Sequence, residues 1–238
     1  MNGKSMAAGC MAAAATVAAG NVLATAAIRT TGLGIMKKLP DKNGIALTFD
    51  DGPHPVYTAR LLDVLKQHGV RATFFVIGEK VEAYPWLLKR MREDGHEIGI
   101  HHYKHRSAWR LTPRALRNQL ELTDRAIRKA SGMVPRLYRP PWGRLSPYTL
   151  TVAKDYETLI WSHIFGDWKT ANCSGLAKRL KCVPADGSIV LLHDDGSNPG
   201  ADEAAPASMI RELDLYLHAA VRDGIPFVTA EGSPVHEH

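Results

Sequence analysis

The residues best equipped for chemistry in this 238-residue chain are aspartates and histidines, and they fall in five short clusters. Asp50 and Asp51 are adjacent in LTFDDGP (47–53). His101, His102 and His105 follow HEIGI (96–100), and Arg139 opens RPPWG (139–143). Asp167 and Trp168 follow TLIWSHIFG (158–166), and His193, Asp194 and Asp195 follow SIVLL (188–192). One aspartate with two histidines is a set of hard and borderline ligands. It suits zinc, cobalt, manganese, nickel or iron, and leaves positions open for water and substrate. A metal so held brings the pKa of a bound water down to about 7. A second aspartate can then take the water's proton, and a histidine across the site can give one to the leaving group. That is the equipment for hydrolysing an amide or an ester. Singly, each cluster has a plainer explanation: a turn aspartate beside a helix cap, a surface histidine pair, a rigid Pro-Pro turn, a buried histidine with its hydrogen bond satisfied. Their joint occurrence at the ends of successive apolar runs favours chemistry.

Those runs alternate with amphipathic stretches from about residue 44 onward. IALTF (45–49), ATFFVIG (72–78), HEIGI (96–100), RLY (136–138), TLIWS (158–162), SIVLL (188–192) and PFVTA (226–230) predict strands. Residues 57–69, 85–95, 112–132, a stretch from about 146, 175–183 and 206–223 predict helices. The helix after Thr112 is the best marked. Thr112 is its N-cap and Pro113 its first residue, Leu116, Leu120, Thr123 and Ile127 share one face, and Gly132 ends it. Strand-helix alternation implies parallel strands joined by crossover helices. Seven or so such repeats predict an α/β fold, a (β/α)7–8 barrel, with an open doubly wound sheet as the alternative. Parallel barrels carry their active sites at the C-terminal ends of the strands, which is where the five clusters fall.

Hydrophobic content of 45% and charged content of 23% match a folded globular domain. A net charge of +6 favours anionic partners such as acidic wall polymers or lipid head groups. No zinc-finger, RNA-binding-strand or basic-zipper pattern accompanies it, so nucleic acid is not expected as a partner. The three cysteines, Cys10, Cys173 and Cys182, contain no CxxC pair, which argues against a cysteine zinc site. Cys173 and Cys182 could pair in an oxidising compartment or be unrelated thiols. Residues 6–28 carry no charge and are mostly alanine. They could be a signal peptide with ATA (24–26) as its cleavage pattern, an uncleaved membrane anchor, or a helix packed on the domain. The expectation is an anchored or secreted protein, with membrane contact through 6–28 and the main domain outside the cytoplasm.

TFDDGP (48–53), H-x-x-x-H (101–105) preceded by GHEIG (95–99), RPPWG, DW (167–168) and LLHD (191–194) occur in the order found in polysaccharide deacetylases. From Ile45 to Ala230 the chain resembles that family, the chitin-deacetylase-like or NodB-type enzymes. The resemblance implies a distorted (β/α) barrel, preceded here by an N-terminal apolar helix, and removal of N-acetyl groups from amino sugars. Carried over residue by residue, it makes Asp50 the general base. It makes Asp51, His101 and His105 the ligands of a divalent metal, zinc before Co2+, Mn2+, Ni2+ or Fe2+. Arg139 would hold Asp50, and His193 would be the general acid tuned by Asp167. The backbone N–H of Trp142, with the metal, would stabilise the oxyanion, and Trp168 and Leu191 would line the acetyl pocket. The implied substrate is an acetylated glycan of the cell envelope, such as peptidoglycan or a chitin-like oligomer, or else a lipid-linked amino sugar. A non-catalytic sugar-binding wall protein is the alternative of another class. The expected organisation is an apolar segment (1–29, anchor or signal-like), a linker (30–43), a catalytic domain (44–232) and a tail (233–238), acting as a monomer. Three positions depart from the family pattern: His102 where Ser or Thr is usual, Ile100 where Asn is frequent, and Ile164 where an acid is frequent. None removes a reacting group, and together they point to a divergent subgroup with an unusual substrate.

Overall fold

The computed structural model describes residues 3–41 and 43–231; the 233–238 tail and the side chain of Cys10 lie outside the described residues. A long helix, α1 (Gly3–Thr31), leads into the alternation. The first half runs β1 (Gly44–Asp50), α2 (Tyr57–Gln67), β2 (Thr73–Val76), α3 (Gly78–Ala83), α4 (Pro85–Glu93), β3 (Glu97–Ile100) and α5 (Pro113–Ser131). The second runs β4 (Leu137–Tyr138), α6 (Thr149–Val152), β5 (Glu157–Thr158), β6 (His163–Ile164), α7 (Thr170–Cys173), α8 (Leu176–Leu180), β7 (Asp186–His193), α9 (Ala205–Arg222) and β8 (Phe227–Val228).

All ladders between these strands are parallel, in the order β5-β4-β3-β2-β1-β7-β6, with β8 joined to the start of β1. The sheet curls into a part-open barrel. Its seam is stitched by residues 36–39, from the segment expected to be a linker. The Met36 N–H donates to the Thr158 carbonyl, Ile160 N–H to the Met36 carbonyl, and Leu39 N–H to the Gly187 carbonyl. The run read as one strand at 158–162 is in fact an extended stretch that changes partners. It leaves β4 after Thr158, crosses the seam beside Met36, and rejoins the sheet against β7 at His163.

Period-two alternation sorts the strand residues. On β1, Ile45, Leu47 and Phe49 join the outer core under the helices, while Ala46 faces a small inner cluster with Leu39, Phe75, Leu137, Leu159, Ile189 and Ala230. Thr48 and Asp50 continue the inner row, so the barrel interior grows polar towards the strand C-termini. Phe75 fills so much of the interior that β3 must carry glycine opposite it. A Cβ on Gly99 would lie 2.6 Å from the Phe75 ring and 3.1 Å from the Leu137 carbonyl oxygen. Outside, α5 matches its sequence signals: Thr112 Oγ1 accepts from Ala115 N–H at 3.2 Å, and Gly132 closes the helix with φ of 74°. The stretch from 146 gives only the one-turn α6, 175–183 shortens to α8, and α3 has no counterpart among the expected helices. Cys173 is buried and Cys182 exposed, and both are free thiols.

Among the described residues no helix is long and apolar enough to cross a membrane. Helix α1 instead packs on the domain. Asn21 Nδ2 donates to the Trp109 carbonyl at 3.1 Å, and Thr25 Oγ1 donates to the Leu145 carbonyl at 2.6 Å while accepting from Trp109 Nε1 at 3.0 Å. Arg29 stacks over Trp161, 4.9 Å from the ring centre. Polar residues inside an alanine-rich run, unfavourable in lipid, are the ones that make these contacts.

The crowding at Gly99 makes a direct prediction. Gly99→Ala should destabilise the fold by about 1–3 kcal/mol through overpacking, seen as a lower midpoint in chemical denaturation.

Candidate active site

The chain turns sharply at the C-terminal ends of β1, β3 and β4, and each turn exposes one working group. Among the described residues, the non-glycine positions with positive φ are Asp51 (81°), His102 (68°) and Trp142 (58°). All three lie in these turns. Such backbone is unfavourable for residues with a Cβ, by about 1–3 kcal/mol each, so the surrounding structure must hold it.

Asp50 and Asp51 part company at this turn. Asp50 Oδ1 meets Arg139 Nη1 at 2.7 Å, and the same nitrogen donates to Thr48 Oγ1 at 2.8 Å. Arg139 is completely buried, stacked with its guanidinium carbon 4.1 Å from the Phe75 ring centre. Asp51 points the other way, into imidazoles. Its Oδ1 lies 3.4 Å from His101 Nε2 and 3.3 Å from His105 Nε2, yet it is buried and accepts no hydrogen bond. Burial by itself would raise the Asp51 carboxyl, but the surrounding imidazoles of His101, His105 and His193 outweigh it and hold it far below the usual carboxylate range. His101 Nδ1 donates to the Arg139 carbonyl at 2.7 Å, which turns Nε2 towards Asp51. Burial pushes the His105 imidazole down to about 4.

These three side chains fit a divalent metal. One carboxylate oxygen and two imidazole nitrogens converge within 4.8 Å of one another. Two ligands about 2.1 Å from a common ion, at a near-tetrahedral angle, sit about 3.4 Å apart. The observed separations match that figure, and the unbonded Asp51 Oδ1 is the atom such an ion would satisfy.

The remaining predicted residues complete the surroundings. His193 Nδ1 meets Asp167 Oδ1 at 3.0 Å, and Asp167 Oδ2 accepts the His193 backbone N–H at 2.7 Å. Burial alone would lower the His193 imidazole, but the Asp167 charge and hydrogen bond, helped by Asp51 and Asp50, push it up to about 9. Asp50, Asp51, His101, His105, Trp142, Trp168, Leu191 and His193 all line one cavity of about 240 Å³. Arg139 and Asp167 stand behind it, each against the group it holds. Trp142 presses on His105 with ring centres 4.1 Å apart, and Trp168 lies edge-on to His193.

His102 is not a further ligand, because both its nitrogens are engaged. Nδ1 donates to the Arg106 carbonyl at 2.7 Å, and Nε2 accepts from the Tyr138 hydroxyl at 2.8 Å. Burial lowers it to about 3, so it remains a neutral brace for the loop that carries His101 and His105. Ile164 lines the cavity mouth and Ile100 is buried in the outer core.

Several contributors were given no role from the sequence. Lys80, at the start of α3, donates to the Asp51 carbonyl at 2.9 Å, to Asp195 Oδ2 at 2.7 Å and to Ser197 Oγ at 3.0 Å. It ties the left-handed turn of β1 to the loop after β7. Asp194 is clamped from the other side, accepting from Gly52 N–H at 3.1 Å and from the Thr58 hydroxyl. A Cβ on Gly52 would collide with the Asp194 carboxylate, so the glycine of the DDG turn is required by close approach. Trp161 and the stretch Asn198–Ala201 complete the rim. The only sequence signal for the rim was its Gly-Pro-rich composition.

A family model described as polysaccharide deacetylase matches residues 37–160. A peptidoglycan-N-acetylglucosamine deacetylase of Bacillus cereus is 36% identical over 191 residues, covering 79% of this chain and 67% of the relative. A peptidoglycan-N-acetylmuramic acid deacetylase of Bacillus subtilis is 42% identical over 155 residues, covering 63% of this chain and 59% of the relative. Among solved structures, a peptidoglycan N-acetylglucosamine deacetylase bound to 4-naphthalen-1-yl-N-oxidanyl-benzamide superposes with a TM-score of 0.74 at 30% identity. It covers 85% of this chain and 93% of the solved one.

The tether from Lys80 to Asp51 can be cut without touching a ligand. Lys80→Met should weaken divalent-metal affinity by about 10–100-fold, the usual effect of removing a group that orients a ligand, as read by competition with a chromogenic chelator.

Proposed function

The chain belongs to the polysaccharide deacetylase family, and we propose that it hydrolyses N-acetyl groups from amino sugars of a cell-envelope glycan, peptidoglycan first. The observation that carries this reading is the opposite treatment of two neighbouring acids: Asp50 is paired with Arg139, while Asp51 sits between the imidazoles of His101 and His105. The activities printed for the relatives in Bacillus, on N-acetylglucosamine and N-acetylmuramic acid of peptidoglycan, support the substrate class.

In this reading Asp51, His101 and His105 hold a divalent metal, zinc first. Bound there, the metal supplies a Lewis acid that makes water a better nucleophile near neutral pH and polarises the acetyl carbonyl. Asp50 receives the proton of the attacking water at Oδ2, because Arg139 occupies Oδ1 and keeps the carboxylate oriented. The water oxygen bonds to the acetyl carbon, and the Trp142 backbone N–H donates to the oxygen that becomes negative. His193, protonated on Nε2 and held through Nδ1 by Asp167, gives its proton to the amide nitrogen as the carbon–nitrogen bond breaks. Acetate and a free amino sugar leave. Trp168 and Leu191 shape the space for the acetyl methyl group. The residues proposed as the catalytic unit are 44–232, working on the outer side of the cytoplasmic membrane, where the glycan is.

Asp50→Asn should lower acetate release from acetylated amino-sugar oligomers by about 10²–10⁴-fold with metal content unchanged, whereas Asp51→Ala and His101→Ala should lose the metal. Acetate release by Asp50→Asn equal to wild type would sink the base assignment. No acetate from any acetylated glycan would favour a sugar-binding role instead.

The general-acid assignment predicts a pH profile. His193 donates only below its own pKa, so activity should fall as pH rises through the shifted value, towards 9 or somewhat below it once a cation offsets Asp51. Removing the Asp167 charge lowers that value. Asp167→Asn should therefore move the alkaline limb of kcat to lower pH, and an unmoved limb would exclude His193 as the donor.

A further inference from the structure

Beyond Trp142, away from the ligand cluster, lies an open groove of about 720 Å³. Val17 and Asn21 of α1 form one wall. Ser107, Trp109 and Arg110 of the loop after β3 form the other, with Arg144 at the end nearer the candidate active site. The two cavities share a seam. The Arg144 guanidinium carbon lies 4.7 Å from the Trp109 ring centre and 5.2 Å from that of Trp142, and the Trp142 ring touches His105. A chain that places one sugar over the ligand cluster can therefore run past Trp142 into the groove. Trp142 is 43% exposed, which leaves its ring available as a platform for such a passage.

The groove's chemistry is one-sided. No acidic side chain lines it, and among the described residues neither Arg110 nor Arg144 has a carboxylate within 4.0 Å. Elsewhere on the surface exposed cations do find acids, as in Lys38 with Asp186, Lys169 with Asp202 and Arg128 with Asp124. Arg144 is half-buried and held between two indoles, a setting that leaves its in-plane N–H groups free and less screened by water. Asn21 and Thr25 fix the wall opposite through their bonds to Trp109 and Leu145. Two guanidinium groups lining one groove beside an aromatic platform, neither with a carboxylate partner among the described residues, suit a carboxylate ligand.

We propose that this groove, walled by α1, is a subsite for a carboxylate-bearing substituent on the glycan, and that it makes the protein select acidic over neutral acetylated chains. The proposal rests on the deacetylase reading above for its substrate, but it can be tested apart from it. In the full-length, metal-loaded protein, kcat/KM for acetate release is measured on neutral N-acetylglucosamine oligomers. It is measured in parallel on oligomers whose alternate sugars carry an ether-linked carboxylate, either free or amidated. Wild type should prefer the free acid over both others, and added salt should erode the preference. Arg110→Glu should cut the acid-to-neutral ratio at least tenfold, and Arg144→Gln should lower it in the same direction.

A second measurement does not depend on turnover. Calorimetric binding of the free-acid oligomer should be at least tenfold weaker to the Asp50→Asn, Arg110→Glu double variant than to Asp50→Asn alone. Equal acid-to-neutral ratios in wild type and Arg110→Glu, or equal binding to the two Asp50→Asn proteins, would overturn the subsite. A short acidic peptide added to the amidated carboxylate separates the two sources of charge. Restored preference assigns the groove to a peptide carboxylate, and continued indifference assigns it to one on the sugar itself. Absence of acetate from every oligomer, with binding still dependent on Arg110, would reject the deacetylase reading while leaving the subsite in place.

Discussion

Two carboxylates on consecutive residues, both almost withdrawn from water, cannot share one counterion. The barrel's upper end is arranged around that constraint. Left alone, adjacent buried charges repel and one would take up a proton. Here the left-handed turn at Asp51 sends the second side chain away from the first, and the two meet different partners: the guanidinium of Arg139 and the imidazoles of His101 and His105. Arg139 can be buried only because Asp50, Thr48 and the Phe75 ring receive it. Phe75 in turn leaves room for no side chain at Gly99. The inner row of the barrel thus follows from the charge that has to be placed at its mouth.

A second layer holds the turn itself. Lys80 grips the Asp51 carbonyl and Asp195, and Asp194 grips Gly52 and Thr58. Burial lifts the Asp194 carboxyl to about 7, and the short contact with the Thr58 hydroxyl is one of the interactions opposing that rise. The loops after β1 and β7 are therefore one mechanical unit, although Gly52 and Asp194 lie 142 positions apart in the chain. The histidine loop is braced differently, through His102 and Tyr138. An imidazole flanked by a carbonyl and a phenol braces the loop there, at the position where Ser or Thr is usual.

Much of this was legible because strand ends in a parallel barrel collect chemistry, and because the reacting residue types are rare in ordinary solvated rims. The apolar runs predicted β1, β2, β3 and β7 within a residue or two, and the capping pattern at Thr112 and Gly132 predicted α5. What escaped had no local signature. Residues 36–39 carry no strand pattern, since they serve the sheet through single bridges on either side of the seam. The apolar run at 158–162 read as one strand because period and composition do not record a change of partner. α3 spans six residues, too few for a helical period to emerge. Lys80 looked like any surface lysine, and only the fold brings it to Asp51. The apolar N-terminal run left three readings open, and the polar contacts of Asn21 and Thr25, through which α1 packs on the domain, have no local signature.

The three strained turns have a consequence for how such a protein can change. At Asp51, His102 and Trp142 the backbone adopts angles that glycine tolerates freely and a side chain does not. Replacing any of them by glycine relaxes the chain locally while deleting a candidate ligand, a brace or the indole that covers His105. Thermal robustness and chemistry therefore pull in opposite directions at these positions. Left to selection for stability alone, the barrel drifts downhill towards an inert relative with an intact fold and an empty mouth.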